Sequence, residues 1–402
     1  MLRITNHIHN FFSVFKIFIT YSAIIIGMKK ERNVQLLGAS SFFNDVGSDM
    51  IAPLLPFYIL TLGGAGIAVG LLAGMREGLS SLLKIIGGYL SDKIGKRKIF
   101  VVFGYLTSII FRFLLLIAAS WAQVVAFVSL ERFGKVRDAP RDAIIEDSTK
   151  KRGRGFGIAQ MMDTSGAILG TILVLFLFWK FNLEIKNIIF IAALIAILSL
   201  IPLFFVKEPK FRKTRKTLFK GISSMPFALK YFVFVAAIFS LGNFGLYMFL
   251  LLRVQELSGN LIAPLVVYLL FNLFWASFSV PFGKLSDKIG RKKVLVYGYL
   301  LFFLVSIGFI FISNLYLFAA LFGLYGLVYA MTQANSRAFV SDLSDDMKGT
   351  EMGFYYFITG IVTIPAGLIA GLLWDISPET MFIYISVIAF VSLALLAFVK
   401  NR

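Results

Sequence analysis

Acidic and basic side chains set inside apolar stretches are where this chain can do chemistry. Asp45 and Asp49, Arg76 and Glu77, and Glu131 and Arg132 are three such pairs. Residues four apart share one face of a helix, so Asp45 and Asp49 face the same way. Two carboxylates that close do not both ionise cheaply at low dielectric. One holds a proton, or both share a cation. Arg76 and Arg132 are the available partners, and Glu77 and Glu131 add two more carboxylates. Four carboxylates against two arginines leave an excess. A proton-coupling site uses that excess; a neutralised network that only fixes helix packing does not need it. As oxygen ligands for a hard cation, Asp45, Asp49 and Asn44 make an incomplete shell. The chain has no cysteine, and its two histidines, His7 and His9, lie in the first ten residues. Disulfides, thiolate metal sites and histidine catalysis are therefore excluded from the body of the chain. No nucleophile, metal or cofactor constellation marks it as an enzyme.

These charges need elements that hold them in place. Of 402 residues, 58% are hydrophobic, only 15% are charged, and 44 are phenylalanine. Soluble domains carry more charge. The apolar residues come in runs of about 20, long enough to cross a hydrocarbon core of about 30 Å as helix. Twelve spans are expected, near 34–61, 66–91, 98–119, 122–146, 155–179, 186–206, 227–253, 261–286, 293–313, 315–340, 351–373 and 378–399. Links such as Leu62-Gly63-Gly64 and Ser313-Asn314 are so short that they force antiparallel neighbours. The fold class is all-α and polytopic. The three charged pairs fall near the middles of spans one, two and four, and share one plane of the membrane.

The net charge of +19 sits in the loops on one side, around Lys29–Arg32, Lys93–Lys98, Lys150–Arg154, Lys207–Lys220 and Lys288–Lys293. Cytoplasmic loops collect Lys and Arg, which places both ends of the twelve-span body in the cytoplasm of a cell-membrane protein. No basic patch lies on a soluble module, so nucleic acid is not the partner. Residues 207–226, basic and with Pro209 and Pro226, read as a cytoplasmic linker on anionic headgroups between six-span halves at 28–206 and 227–402. Residues 1–27 form an extension. Phe11–Gly27 is short for a span and is broken by Lys16, whereas Met28-Lys29-Lys30 resembles a natural start. A thirteenth helix is the other reading of that extension.

One local pattern occurs twice. Gly88-Tyr-Leu-Ser-Asp92-Lys-Ile-Gly95-Lys-Arg-Lys follows span two, and Gly283-Lys-Leu-Ser-Asp287-Lys-Ile-Gly290-Arg-Lys-Lys follows span eight. Asp92 and Asp287 are 195 apart, as are Asp147 and Asp342 at the ends of spans four and ten. Two landmarks at one offset argue for duplication. Gly88 and Gly283 allow close helix approach, and Gly95 and Gly290 permit a left-handed turn.

This pattern resembles the signature loop of the major facilitator superfamily. The resemblance covers about 28–402 and implies two six-helix bundles around a central cavity that exchange access by rocking. It also implies a cytoplasmic gate in which the motif aspartate pairs with a cation, for which Arg137 and Arg141 are the candidates. A narrower resemblance, carried by Phe42–Met50 and by Gly134–Ala143, is to a prokaryotic subgroup commonly labelled multidrug-like exporters. Its fourth-helix form, G-K-G-x-R-x-A-P-R-D-A, has one residue more before Arg137 than this chain. Pro140 is expected to kink that helix. Gly166 and Gly170 retain part of an antiporter signature, and simple close packing accounts for them equally well.

The C-terminal half is poor in charge and rich in polar and aromatic groups. Asn243, Tyr247, Asn272, Trp275, Tyr325, Tyr329 and Gln333, with Asn44 from the first span, are the candidate cavity wall. Tyr325, Tyr329 and Gln333 are spaced by four and form one stripe. Such a wall suits an amphipathic organic compound. The leading expectation is a monomeric secondary transporter that exports a small organic molecule in exchange for protons, without a cofactor. An importer or cation exporter of the same fold, or a non-transporting receptor or scaffold, are the alternatives.

Overall fold

The computed structural model describes residues 32–149, 152–208, 225–344 and 348–399. The extension 1–27, most of the linker, and the side chain of Asp92 lie outside what it describes.

Twelve helical rods follow one another among the described residues. The first is α1 (Arg32–Ile51), a 3-10 turn over Ala52–Leu54, and α2 (Leu55–Thr61). Pro53 and Pro56 lack the amide hydrogen an unbroken helix would use there, and each sits in a first turn, where that loss is tolerated. Then come α3 (Gly66–Ile94) and α4 (Arg97–Leu114). The fourth rod is α5 (Trp121–Glu131), a 3-10 stretch over Arg132–Arg137, and α6 (Asp138–Ser148). The fifth is α7 (Arg152–Phe181), and the sixth is α8 (Ile185–Ile197) with α9 (Leu200–Phe205). The seventh is α10 (Phe227–Gly242) with α11 (Tyr247–Ser258). The last five are α12 (Ile262–Ile289), α13 (Arg291–Phe311), α14 (Leu315–Leu343), α15 (Lys348–Ile376) and α16 (Pro378–Ala397). Ten of the rods are long and apolar enough to cross a membrane. The first and fourth, broken by 3-10 turns, carry two of the three ionisable pairs and fall short of that measure.

The duplication is visible as repeated contacts. Lys98 Nζ donates to the carbonyls of Phe204 and Val206 at 3.3 and 2.7 Å. Lys292 Nζ donates to those of Ala397 and Val399 at 2.8 and 2.6 Å. Each lysine thus closes the last helix of its half. Arg97 reaches Asp147 at 2.5 Å and Arg291 reaches Asp342 at 2.8 Å, so the two carboxylates of the 195-residue offset each take a loop arginine. Glu208 caps α4, accepting from the amides of Arg97 and Lys98, both at 2.8 Å.

The halves meet along α3 and α15. Gly66, Gly70, Gly74 and Gly78 face Gly371, Gly367, Thr363 and Gly360, backbone against backbone. A Cβ on Gly70 would lie 2.0 Å from the carbonyl oxygen of Gly367. Glycine is what permits this approach, and Thr363 adds a hydrogen bond to the Gly74 carbonyl at 3.1 Å. At the 62–64 end, Asp375 accepts from the amides of Gly66 at 2.6 Å and Ile67 at 2.9 Å, capping α3 from the other half. Toward the Gly95 end the seam slackens. A Cβ on Gly353 would be 3.9 Å from Ile85, the nearest residue. The halves are therefore clasped at the 62–64 end.

That clasp is testable, and the absence of native cysteine makes labelling free of background. A carboxylate on a helix N-terminus is worth about 1 kcal/mol, or roughly a five-fold population shift. Asp375→Asn is expected to broaden the distance distribution between spin labels at Leu62 and Ser377 toward longer separations. An unchanged distribution would show that the glycine seam alone holds this end.

Candidate functional site

The charged residues of the N-terminal half form two layers. In the upper layer, Glu131 is buried between two arginines. Arg132 donates to one carboxylate oxygen, and Arg112 Nη2 lies 3.5 Å from the other. Arg112 also donates to the carbonyl of Asn44 at 3.2 Å and to Asn44 Oδ1 at 3.0 Å. Arg112, Glu131, Arg132 and Asn44 are all at least nine-tenths buried. Arg76 shares a water-sized cavity of about 20 Å³ with Arg112, Glu131, Arg132 and Ser48. The sequence reading balanced four carboxylates against Arg76 and Arg132 and missed Arg112. Its signal was present: one arginine in the otherwise apolar run 99–119. Asn44, expected on the cavity wall, is spent on Arg112 inside the bundle.

The local backbone sets this arrangement. Six residues of 3-10 helix rise about 12 Å, where six of α-helix rise about 9 Å. The 3-10 stretch Arg132–Arg137 thus makes up more than the length of the one residue missing from the fourth-helix pattern. Pro140 then falls in the first turn of α6, so the change of helix type precedes it and the proline itself breaks nothing.

Asp45 and Asp49 share a helix but not their surroundings. Asp49 Oδ1 accepts from the Tyr268 hydroxyl of the other half at 3.3 Å, and Arg76 is the nearest cation in effect. Asp45 Oδ1 accepts from Asn44 Nδ2 at 3.0 Å. Asp163 of α7 and Lys135 lie within electrostatic reach of Asp45. Neither carboxylate makes an ion pair among the described residues. Glu77 is exposed and within electrostatic reach of Arg132, Tyr247 and Tyr329, which turns it toward the other half.

The lower layer is a denser set of pairs. Asp138 lies 3.7 Å from both Lys84 and Lys135. Arg137 is buried, donates to Ser108 at 2.9 Å and to the carbonyls of Gly104 and Gly134, and sits 4.4 Å over the Tyr105 ring. Arg141 is 3.1 Å from Asp142, 3.3 Å from Asp163 and 2.5 Å from Ser41. Both arginines expected at Asp92 thus have other partners among the described residues. Gly88 packs on Ala139, and Gly95 turns left-handed at φ +76°. In the second copy, Gly290 turns at φ +97°, and exposed Asp287 pairs with Arg291 at 2.9 Å.

Across the interface stands an aromatic wall. Tyr329 takes edge-on contacts from Phe271, Trp275 and Tyr325, all with centroids 5.2 Å away. Tyr247 lies 5.6 Å from Tyr268. Along the predicted stripe, Tyr325 is fully buried and donates to Asn243 Oδ1, Tyr329 is half-buried, and Gln333 is exposed. Tyr325 therefore supports the wall from behind. Asn272 is 7% exposed and its amide nitrogen has no partner among the described residues. Gly166 and Gly170 of α7 press on the backbone of α1 at Phe42 and Val46, a close-packing role.

Comparison with known proteins agrees with this architecture. The family model described as Major Facilitator Superfamily matches residues 37–278 and 262–402. A relative from Methanocaldococcus jannaschii, "Uncharacterized MFS-type transporter MJ1317", is 48% identical over 379 residues, covering 92% of this chain and 95% of the relative. "Multidrug resistance protein MdtH" of Photorhabdus laumondii is 25% identical over 320 residues, covering 77% and 78%. The crystal structure of nucleoside transporter NupG superposes with a TM-score of 0.74 at 14% identity, covering 92% of this chain and all of that one. With twelve helical rods in two bundles, buried charges in one and an aromatic wall in the other, this chain is an integral membrane secondary transporter, not an enzyme, and belongs to the Major Facilitator Superfamily.

Proposed function

We propose that this chain exports a small amphipathic organic compound across the cell membrane in exchange for protons. It acts as a monomer with both ends of its body in the cytoplasm. The observation that carries the reading is the contrast between Glu131 and the helix-one carboxylates. Glu131 is held by two arginines and serves structure. Asp45 and Asp49 are half-buried and unpaired with any cation among the described residues, and Asp49 meets Tyr268 of the other half. A carboxylate in that position exchanges a proton as its surroundings change, which is what alternating access provides. The Tyr268 hydroxyl on Asp49 couples that exchange to the aromatic half. Similarity to a protein named for multidrug resistance and the aromatic wall support an organic substrate and the outward direction. The basic loops at the Gly95 and Gly290 end support a cytoplasmic face there.

The test uses ethidium as a fluorescent probe in inverted vesicles. Asp49→Asn and Asp45→Asn are expected to abolish uptake driven by a pH gradient, while downhill exchange continues because the bundles still rock. Full gradient-driven uptake in both variants would make the pair structural and move coupling to Glu77.

A further inference from the structure

Arg337 is the only charged side chain of α14 before Asp342, and neither the charge layers nor the loop pairs use it. It is exposed, and its Nε donates to the Gln333 carbonyl at 3.2 Å. That bond folds the side chain back along the helix toward Gln333. The two Nη groups have no hydrogen-bond or ion-pair partner among the described residues. The carboxylates of this half are engaged elsewhere. Asp287 and Asp342 are both on Arg291, at 2.9 and 2.8 Å. Glu256 and Glu379 are both on Arg253, at 3.0 and 2.9 Å. Asp375 caps α3. Glu351 is 2% exposed and makes no ion pair among the described residues. Asp345 and Asp346 lie outside the described residues. A cation near the inner end of a membrane span with no carboxylate of its own marks a ligand path.

The neighbours of Arg337 on its helix say what the ligand is. Tyr329, Gln333 and Arg337 follow one another by four, so Gln333 stands about 40° around the helix from each of the other two. Tyr329 and Arg337 are about 12 Å apart along the axis, and the folded side chain shortens that reach. The Tyr329 ring is half-buried against Phe271 and Trp275. Its hydroxyl oxygen accepts from Tyr325 at 3.5 Å, and its hydrogen has no acceptor among the described residues. The unspent polar groups beside the rings are thus donors, one of them a guanidinium. The Arg291–Asp342 pair sets the inner end of α14 beside the Gly290 loop. Arg337 therefore lies between that face and the aromatic wall.

We propose that Arg337 is the specificity-determining cation of the substrate site and that the exported compound is an aromatic acid, its ring on Tyr329 and Trp275 and its carboxylate or sulfonate on the guanidinium. The inference rests on the export reading above and narrows its substrate from amphipathic compounds at large to organic anions. The planar fork of arginine matches two oxygens of such a group at once. A cationic amphipath has only the rings to hold it and meets a like charge at their inner end.

Two probes with one ring and opposite charge test this, pyrenesulfonate and pyrenemethylammonium. Binding to the purified full chain in detergent is read by energy transfer from tryptophan to pyrene, so neither a gradient nor a direction enters. The wild-type protein is expected to prefer the sulfonate. Arg337→Gln should weaken sulfonate binding about tenfold, the size of one lost charge-assisted hydrogen bond, and should tighten binding of the ammonium. Arg337→Lys keeps the charge without the fork and should retain a reduced preference for the sulfonate. It also carries the test should the glutamine variant fail to fold. Sulfonate binding unchanged in both variants would overturn the inference and leave the export reading to stand on its own transport test. So would a wild-type preference for the ammonium, which would move the charged subsite to Asp45 and Asp49. A protein that binds neither probe would overturn the aromatic wall as a binding surface as well.

Discussion

Replacing Arg112 by methionine is expected to destabilise the protein by about 3–5 kcal/mol, the usual consequence of removing one partner from a buried ion pair. The guanidinium reaches Glu131 and both oxygen acceptors of Asn44 from a site 2% exposed to solvent. Without it, Glu131 keeps only Arg132, and two acceptors on α1 lose their donor. Lysine is not a conservative choice here, because its single ammonium cannot spread over acceptors on two helices as the planar fork does. Thermal unfolding of the purified variant reads the loss. Pairing Arg112→Met with Glu131→Gln should recover part of it, since the uncompensated carboxylate is then gone. If Arg112→Met melts like the wild type, the upper layer does not hold α1 to α4.

The second large effect is expected at the seam. Gly70→Leu places a Cβ 2.0 Å from the Gly367 carbonyl oxygen, a separation no side chain adopts, so α3 and α15 must move apart. Overpacking of this kind costs about 3 kcal/mol. Here it also removes the backbone contact that joins the halves. We expect lower yield, a lower melting temperature and weaker cross-linking between cysteines introduced across the 62–64 end. Gly157→Leu is the control, because a Cβ there meets nothing within 4 Å. Equal losses from both substitutions would point to a general intolerance of glycine replacement rather than to the seam.

The bundle was legible because a membrane imposes one length on every apolar run, and positively charged loops mark one side. The doubled Gly88 and Gly283 loops revealed the repeat because turn chemistry depends on near neighbours in sequence. The site was legible only in part. Arg112 and Asp163 are lone charges in apolar runs and carried the same signal as Arg76, but charges that come in adjacent pairs stand out more. Glu131 read as a coupling group because its second arginine lies 19 residues away on another rod. The Tyr268 contact to Asp49 spans 219 residues and depends on how the halves dock, which no local pattern encodes. Glycines at 66, 70, 74 and 78 were a readable spacing, and their partner stripe on α15 makes it meaningful.

Lys98 and Glu208 bear on the order in which the chain is made. Lys98 grips the last carbonyls of the sixth rod, and Glu208 returns to cap the start of the third. Nothing in that closure waits for the second half of the sequence. Once Glu208 has left the ribosome, the first bundle has the contacts that seal it, before any of α10 has emerged. The second bundle repeats the device with Lys292 and Val399, within its last few residues. Synthesis therefore delivers two self-sealed units in turn, and the glycine seam is the last surface to be buried.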